Sequence, residues 1–292
     1  MSIQQAAIPF AGALADYLAA HPAPARGVEL FWLGQAGFLL RSAAHLLVID
    51  PYLSDSLAEK YRGRPLPHRR MMAAPIAAQQ LGDVQHVLVT HHHSDHLDGA
   101  TLQPLMAAAP TARLIAPRAA LALAAERSQA GERLQGINAG EQLTLAEGLR
   151  LQAVRASHET LEQDDAGNFR FLGYVITLGE VRIFHAGDTV PFDGQVDELK
   201  ALNIDVALLP VNGRSVNLRA QGVPGNLTLA EGQRLCQQCN IRYMIAHHYG
   251  LFDFNTADPA EIDAAARRVK EPSLIRARLQ TRFYFASPLS AR

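Results

Sequence analysis

Thr90-His-His-His-Ser-Asp-His-Leu-Asp98 decides how this chain reads. His91, His93, Asp95 and His96 follow directly on Val84–Thr90, an apolar run that predicts a buried strand. Imidazole and carboxylate are the ligand set for zinc, manganese or iron where no thiolate is at hand. If the strand continues, His91 and His93 point the same way and His92 alternates away. The turn into a helix at Gly99 then brings Asp95 and His96 round to a second ion roughly 3.5–4 Å from the first.

Four ligands do not fill two coordination shells, so further His or Asp residues are required at later strand ends. His158 follows the predicted strand Leu149–Ala156, Asp188 follows Val181–His185, and His248 follows Arg242–Ala246. Layered α/β folds usually place their chemistry just past the C-terminal ends of strands. The plain alternative, a histidine-rich surface tract, weakens once three more ligand-type residues recur in that position. His21, His45, His68, His86, His185 and His247 are read as ordinary histidines.

The remaining pattern gives the element order. Val28–Leu33, Phe38–Arg41 and Leu46–Ile49 read as three consecutive strands, and Ser54–Arg70 as a long Arg-rich loop. Ala100–Ala109 and Arg118–Ala130 are predicted helices flanking an extended Arg113–Ala116. Phe171–Leu178 and Val181–His185 flank Gly179-Glu180 as a hairpin. From Asp193 the order is helix, strand (Asp205–Leu209), helix (Leu227–Cys239), strand (Arg242–Ala246) and helix (Asp258–Val269). β blocks that twice give way to β-α units predict an α/β (α+β) fold, a four-layer αββα sandwich. Residues 1–26, with Phe10, Leu14, Tyr17 and Leu18 at near-helical spacing, read as an N-terminal helical extension before one domain over 27–292.

Composition narrows the function classes. The 292 residues are 48% hydrophobic, enough for one large core. Lys plus Arg (27) nearly equals Asp plus Glu (28), so no overall field draws in nucleic acid. With no run of about 18 apolar residues and no basic start to the N-terminal segment, neither an integral membrane segment nor a secretory signal is expected. The expectation is a cytoplasmic protein acting on a small molecule, with a homo-oligomer left open. Cys236 and Cys239 supply half of a zinc site at most and read as two helix residues in a reducing compartment.

The ordered set His-x-His-x-Asp-His, His, Asp within Gly-Asp-Thr, and His resembles the metallo-β-lactamase superfamily. More narrowly, Phe31-Trp-Leu-Gly-Gln-Ala-Gly37, Val48-Ile-Asp-Pro51, Ile183-Phe-His-Ala-Gly-Asp-Thr189 and His247–Pro259 resemble the ascorbate-6-phosphate lactonase branch. Asp50-Pro51 and His96-Leu97-Asp98 are also similar to the N-acyl-phosphatidylethanolamine phospholipase D type. The resemblance implies that His91, His93 and His158 hold one metal, that Asp95, His96 and His248 hold the other, and that Asp188 bridges. It also favours His248 over His247, by its place relative to Ala257-Asp-Pro259. The branch points to manganese and the wider fold to zinc. Val211–Arg219 departs from the branch pattern, which leaves the substrate open.

The expected reaction is hydrolysis by a metal-bound hydroxide, since bound water can reach a pKa of about 7. A lactone of a small sugar-like or phosphorylated molecule is the first expectation. A phosphodiesterase on a nucleotide or phospholipid head group, and a non-catalytic metal-binding sensor or assembly module, are the alternatives. Asp95 is a candidate to orient the nucleophile or shuttle a proton. Asp50 reads either as the acceptor for a ligand imidazole N–H or as a turn-forming Asp before Pro51. Arg62, Arg64, Arg69, Arg70 and Arg214 are candidate substrate contacts, because guanidinium groups suit phosphate and carboxylate, with His68 and Arg219 adding to the charge of the same loops; a merely solvated basic loop is the alternative.

Overall fold

The computed structural model describes residues 3–287. Its strands are β1 (Gln4–Pro9), β2 (Val28–Gly34), β3 (Gly37–Arg41), β4 (Leu46–Ile49), β5 (His86–Leu88), β6 (Arg113–Pro117), β7 (Leu134–Ile137) and β8 (Gln142–Ala146). They continue with β9 (Leu149–Arg155), β10 (Leu172–Leu178), β11 (Val181–His185), β12 (Val206–Pro210), β13 (Tyr243–His247), β14 (Ser273–Arg276) and β15 (Thr281–Ala286). One sheet runs β1-β15-β2-β3-β4-β5-β6-β7 and the other β14-β13-β12-β11-β10-β9-β8.

The two sheets repeat one plan. In the first, β2, β3 and β4 are antiparallel and β4 to β7 parallel. In the second, β9, β10 and β11 are antiparallel and β11 to β14 parallel. Short turns serve the antiparallel pairs, whereas parallel neighbours need a crossover, usually helical. Side-chain alternation separates the layers. Leu30 and Trp32 of β2 face the core between the sheets, with Tyr174 and Ile183. Phe31 and Leu33 face outward onto Leu102, Leu105 and Ala124 of the helices Gly99–Ala108 and Leu121–Ser128. The second sheet is covered by the helices Leu229–Gln238 and Pro259–Arg268, which bring in Leu235 and Ile262. The result is the αββα sandwich. Cys236 and Cys239 are free and buried, and burial pushes the Cys239 thiol up to about 11.

The N-terminal segment is built differently from the helical extension expected over 1–26. Only Leu14–Ala20 is helical, while Gln4–Pro9 forms β1 and pairs along its full length with β15. Sheet pairing overrides the weak β preference of Gln4-Gln-Ala-Ala7. The helix is tied down by Arg41, which donates to the carbonyls of Leu18 and His21 and, through Nε, to the buried Glu29 at 2.7 Å. Arg282 also donates to Glu29, at 3.1 Å. No helix among the described residues is long and apolar enough to cross a membrane.

Arg41→Ala strips this buried carboxylate of its shorter partner, and breaking a buried pair typically costs about 3–5 kcal/mol. With Arg282 still in place, the expected loss is near the low end, about 3 kcal/mol, read from the urea midpoint at unchanged slope.

Candidate metal centre

The C-terminal ends of β4, β5, β9, β11 and β13 meet at one rim of the sandwich, and the candidate ligands stand just beyond them. β5 stops at Leu88, so His91 and His93 lie on a turn and not on a continued strand. The turn still gathers them: His91, His93 and His158 form one group of converging ligand atoms. Asp95, His96 and His248 form a second, and His91, His96 and Asp188 a third that joins them. Asp188 faces both sides, with Oδ2 at 3.5 Å from His158 Nε2 and Oδ1 at 3.4 Å from His96 Nε2 and 3.1 Å from His248 Nε2. Gly187 lets Asp188 reach this place: its φ is +61°, and a Cβ there would sit 2.6 Å from the Leu172 carbonyl oxygen.

These residues suit divalent ions. His91 Nε2 is buried without a hydrogen-bond partner among the described residues, and the buried Nε2 atoms of His96 and His248 have only the Asp188 carboxylate close by, in a geometry poor for hydrogen bonds. Such orphaned groups are rare, and an ion is one group that satisfies them. The outward nitrogens fix which atom points in. His96 Nδ1 lies 2.8 Å from Asp50 Oδ2 and His158 Nδ1 lies 3.0 Å from the Gly225 carbonyl oxygen. Facing a carboxylate and a carbonyl oxygen, each Nδ1 is placed as the donor, and each Nε2 offers a lone pair or, once protonated, a second N–H.

Electrostatics divides the imidazoles. Burial drives His91 well below its usual range and His158 down to about 4; His93 is lowered by burial too. At neutral pH these three are neutral and ready to ligate. Burial also opposes a charge on His96, but Asp188, Asp50 and Asp95 together outweigh it and raise that group well above the usual range. Asp188 is held well below its usual range: burial pushes upward, and His248 and His96 pull it down further. A metal entering at pH 7 therefore displaces a proton from His96.

Asp50 combines a turn conformation with a hydrogen bond to a candidate ligand imidazole. Its φ is +45°, a turn conformation before Pro51, and its carboxylate accepts from the Thr90 backbone N–H (2.8 Å), the Thr90 hydroxyl (2.6 Å) and His96 Nδ1. Gln35 was not picked out by sequence reasoning. It sits in the β2–β3 turn, donates to Asp95 Oδ2 at 2.9 Å, and accepts the His248 backbone N–H on its own carbonyl at 3.0 Å. Its signal was available in Gly34-Gln-Ala-Gly37, a tight turn with a buried amide.

A cavity of about 630 Å³ opens beside the cluster and is lined by His93, Asp95, His158, Asp188 and His248. Of the five candidate substrate arginines, only Arg64 lines it, joined by Lys60 and Arg127. Arg62 is exposed and paired with Glu59, and Arg69 is exposed away from the cavity. Arg70 is turned inward, donating to the carbonyls of Tyr52, Ser54 and Met72. Arg214 forms a bidentate pair with Glu231, 2.6 Å for each contact. A long guanidinium finds carbonyl or carboxylate partners within its own loop, and spacing along the sequence does not reveal that. His68 does line the cavity, stacked on Tyr61 at 4.0 Å and edge-on to Phe252 and Phe254.

A two-sheet sandwich with this ligand order at one rim defines a class of metal-dependent hydrolases. Residues 45–249 match the Beta-lactamase superfamily domain, and the chain belongs to that family. It is 30% identical over 247 residues to the UPF0173 metal-dependent hydrolase of Thermoplasma acidophilum, covering 83% of this chain and 92% of that one. Among solved structures, Igni18, a metallo hydrolase from Ignicoccus hospitalis, superposes with a TM-score of 0.64 at 20% identity, covering 89% of this chain and 98% of that one. The isothiocyanate hydrolase from Delia radicum gut bacteria gives 0.68 at 20% identity, covering 85% and 95%. At such identities the two structures speak for the fold.

Elemental analysis of purified variants should separate the ligand roles. Asp188→Ala is expected to lose occupancy at both positions, and His248→Ala at one. A His248→Ala protein that retains two ions would pass the ligand role to His247. Asp50→Asn should weaken metal affinity about 10–100-fold, as changes beside a ligand imidazole commonly do, measured by competition with a chromophoric chelator.

Proposed function

We propose that this metal-dependent hydrolase works with two divalent ions, zinc or manganese, and opens a lactone or ester of a small molecule. The observation that carries this reading is Asp188, whose two oxygens face two separate ligand groups beside one cavity. His91, His93 and His158 would hold one ion, Asp95, His96 and His248 the other, with Asp188 shared. Bound there, the pair would lower the pKa of a water toward 7 and polarise the bond under attack.

The chain's own residues supply the rest. Asp95 lines the cavity and is fixed by Gln35; its carboxyl is lowered by His96 and His248 against burial and the neighbouring Asp188. It is thus ionised at neutral pH and placed to take a proton from the nucleophile or steer it. Lys60, Arg64 and Arg127 give the cavity wall positive charge, while Leu57, Tyr61, Phe252 and Phe254 give it an apolar side. A volume of this size suits a small molecule. The resemblance of the β2–β3 and β11 segments to the lactonase branch supports a lactone within that class.

The test is hydrolysis of a substrate panel by protein stripped of metal and reloaded with zinc or manganese. The panel holds a sugar lactone, its phosphorylated form, a phosphodiester and an aryl isothiocyanate, the last chosen for the apolar wall. Turnover of a lactone that vanishes on metal removal supports the proposal; turnover of the phosphodiester alone overturns it. Arg64→Ala should reduce kcat/KM for the phosphorylated lactone about ten- to a hundredfold, the equivalent of roughly 1.5–3 kcal/mol for one charge-assisted contact. The uncharged lactone should be unaffected, and Arg62→Ala and Arg69→Ala should match the wild type on both.

A further inference from the structure

The segment between β12 and the helix Leu229–Gln238 closes on itself and then touches the metal centre. Its neck is pinned by backbone hydrogen bonds from Gly213 to Leu227 (3.0 Å) and from Asn226 to Gly213 (2.8 Å). Within it, Gly225 turns its carbonyl to His158 Nδ1, the only hydrogen bond that this ring makes among the described residues. Arg214 lies directly across Gly225: a Cβ on Gly225 would fall 2.0 Å from Arg214 Cβ, so only glycine fits there. The Arg214 guanidinium reaches past this contact to the Asn226 carbonyl at 3.1 Å and to both oxygens of Glu231.

Glu231 is itself immobilised. It accepts the Thr228 backbone N–H at 2.9 Å, and Thr228 Oγ1 accepts the Glu231 N–H at 3.3 Å, a reciprocal cap on the following helix. The Arg214 hydrogen bonds hold its carboxyl down to about 2 despite partial burial, so the pair stays charged at working pH. A second tie comes from the same segment: Arg219 Nε contacts Glu159 Oε2 at 2.6 Å. Glu159 adjoins His158 and has a φ of +86°, a conformation that persists only when its surroundings impose it.

We infer that Arg214, anchored by Glu231, is a positioning residue for the metal centre: it fixes the Gly225 carbonyl, which orients His158 and sets its tautomer. The inference rests on His158 being a ligand, as proposed above. It also gives Arg214 a role other than the substrate contact expected from the sequence. Because Gln221, Gly222, Val223 and Pro224 of this segment line the cavity, the wall that meets the substrate and the carbonyl that aims His158 are one piece of chain.

The full chain, stripped of metal, is titrated with Zn²⁺ alone against a chromophoric chelator, and thermal unfolding of the metal-free protein is followed in parallel. Arg214→Ala should weaken one of two zinc positions about 10–100-fold and leave the other near its wild-type affinity. Arg214→Lys, which keeps a charge toward Glu231 but loses the fork, should fall between. Arg118→Ala removes a comparable bidentate pair, with Glu141, that touches none of the candidate ligands and should leave zinc affinity unchanged. Wild-type affinity at both positions in Arg214→Ala, or equal weakening at both that merely follows a lowered unfolding temperature, overturns the inference. His158→Ala separates this from the underlying reading. If it loses one position while Arg214→Ala loses none, the ligand assignment stands and the clamp fails; if it retains both, the ligand assignment fails.

Discussion

The Asp50 carboxylate is the contact on which the site depends most. It is fully buried at the junction of β4 and the turn after β5, where an unpaired charge would be strongly destabilising. Its environment offers it Thr90 N–H, Thr90 O–H and His96 N–H, and each of these bonds has a second consequence. The first two fix the start of the His91–His96 turn, and the third decides which nitrogen of His96 faces Asp188. One acidic side chain thus satisfies its own burial and orders the start of a turn that Leu172, at the Thr90 carbonyl, and Arg127, at the His92 and Leu97 carbonyls, hold from the other side.

From the opposite sheet the site is fixed by other means. His158, Asp188 and His248 stand past strands β9, β11 and β13, and each depends on a backbone device. Gly187 admits the Asp188 backbone to a crowded position, the Gly225 carbonyl holds His158, and the Gln35 carbonyl crosses between the sheets to the His248 N–H. His248 itself has a φ of +62°. The repeated plan of the sheets brings parallel strand ends to the same rim twice. The helices cover the outer faces and leave that rim to loops, which is where a cavity can form.

Much of this was legible in the sequence because it is written in short periods. Buried strands such as β2 and β12 announce themselves by apolar runs, β9 by alternation, and the candidate ligands by residue type at strand ends. What escaped was set by partners distant in the chain. β1 carries Gln-Gln-Ala-Ala and becomes a strand because β15 lies beside it, some 275 residues later. β7 and β8 are short, and β8 is half exposed at a sheet edge, so neither shows a clear alternation. Arg70 and Arg214 stand off the cavity for a related reason: composition gives a charge, but the carbonyls and carboxylates that claim these two are found only once the loops are folded. His68, legible only as part of a basic loop, is brought by the fold to the cavity wall between Tyr61 and two phenylalanines.

The same contrast bears on what decides the reaction. A cluster of buried imidazoles with three carboxylates defines charge and lone pairs at one point, and that part is shared by proteins that carry out different chemistry on one fold. The cavity beside it mixes charge with aromatic surface: Lys60 lies over the Tyr61 ring, Arg127 donates to the carbonyls of His92 and Leu97, and Arg64, Phe252, Phe254 and the Gln221–Pro224 stretch complete the lining. On the reading proposed above, a substrate would set an anionic end against the cations and an apolar body against the aromatic rings. Removing one cation then changes affinity for the charged end and leaves the aromatic contact intact, whereas disturbing the 213–226 segment alters the wall and the orientation of His158 together. If Arg214 acts as inferred, the 213–226 segment couples the cavity wall to the orientation of His158, because Gln221–Pro224 and the Gly225 carbonyl belong to one piece of chain.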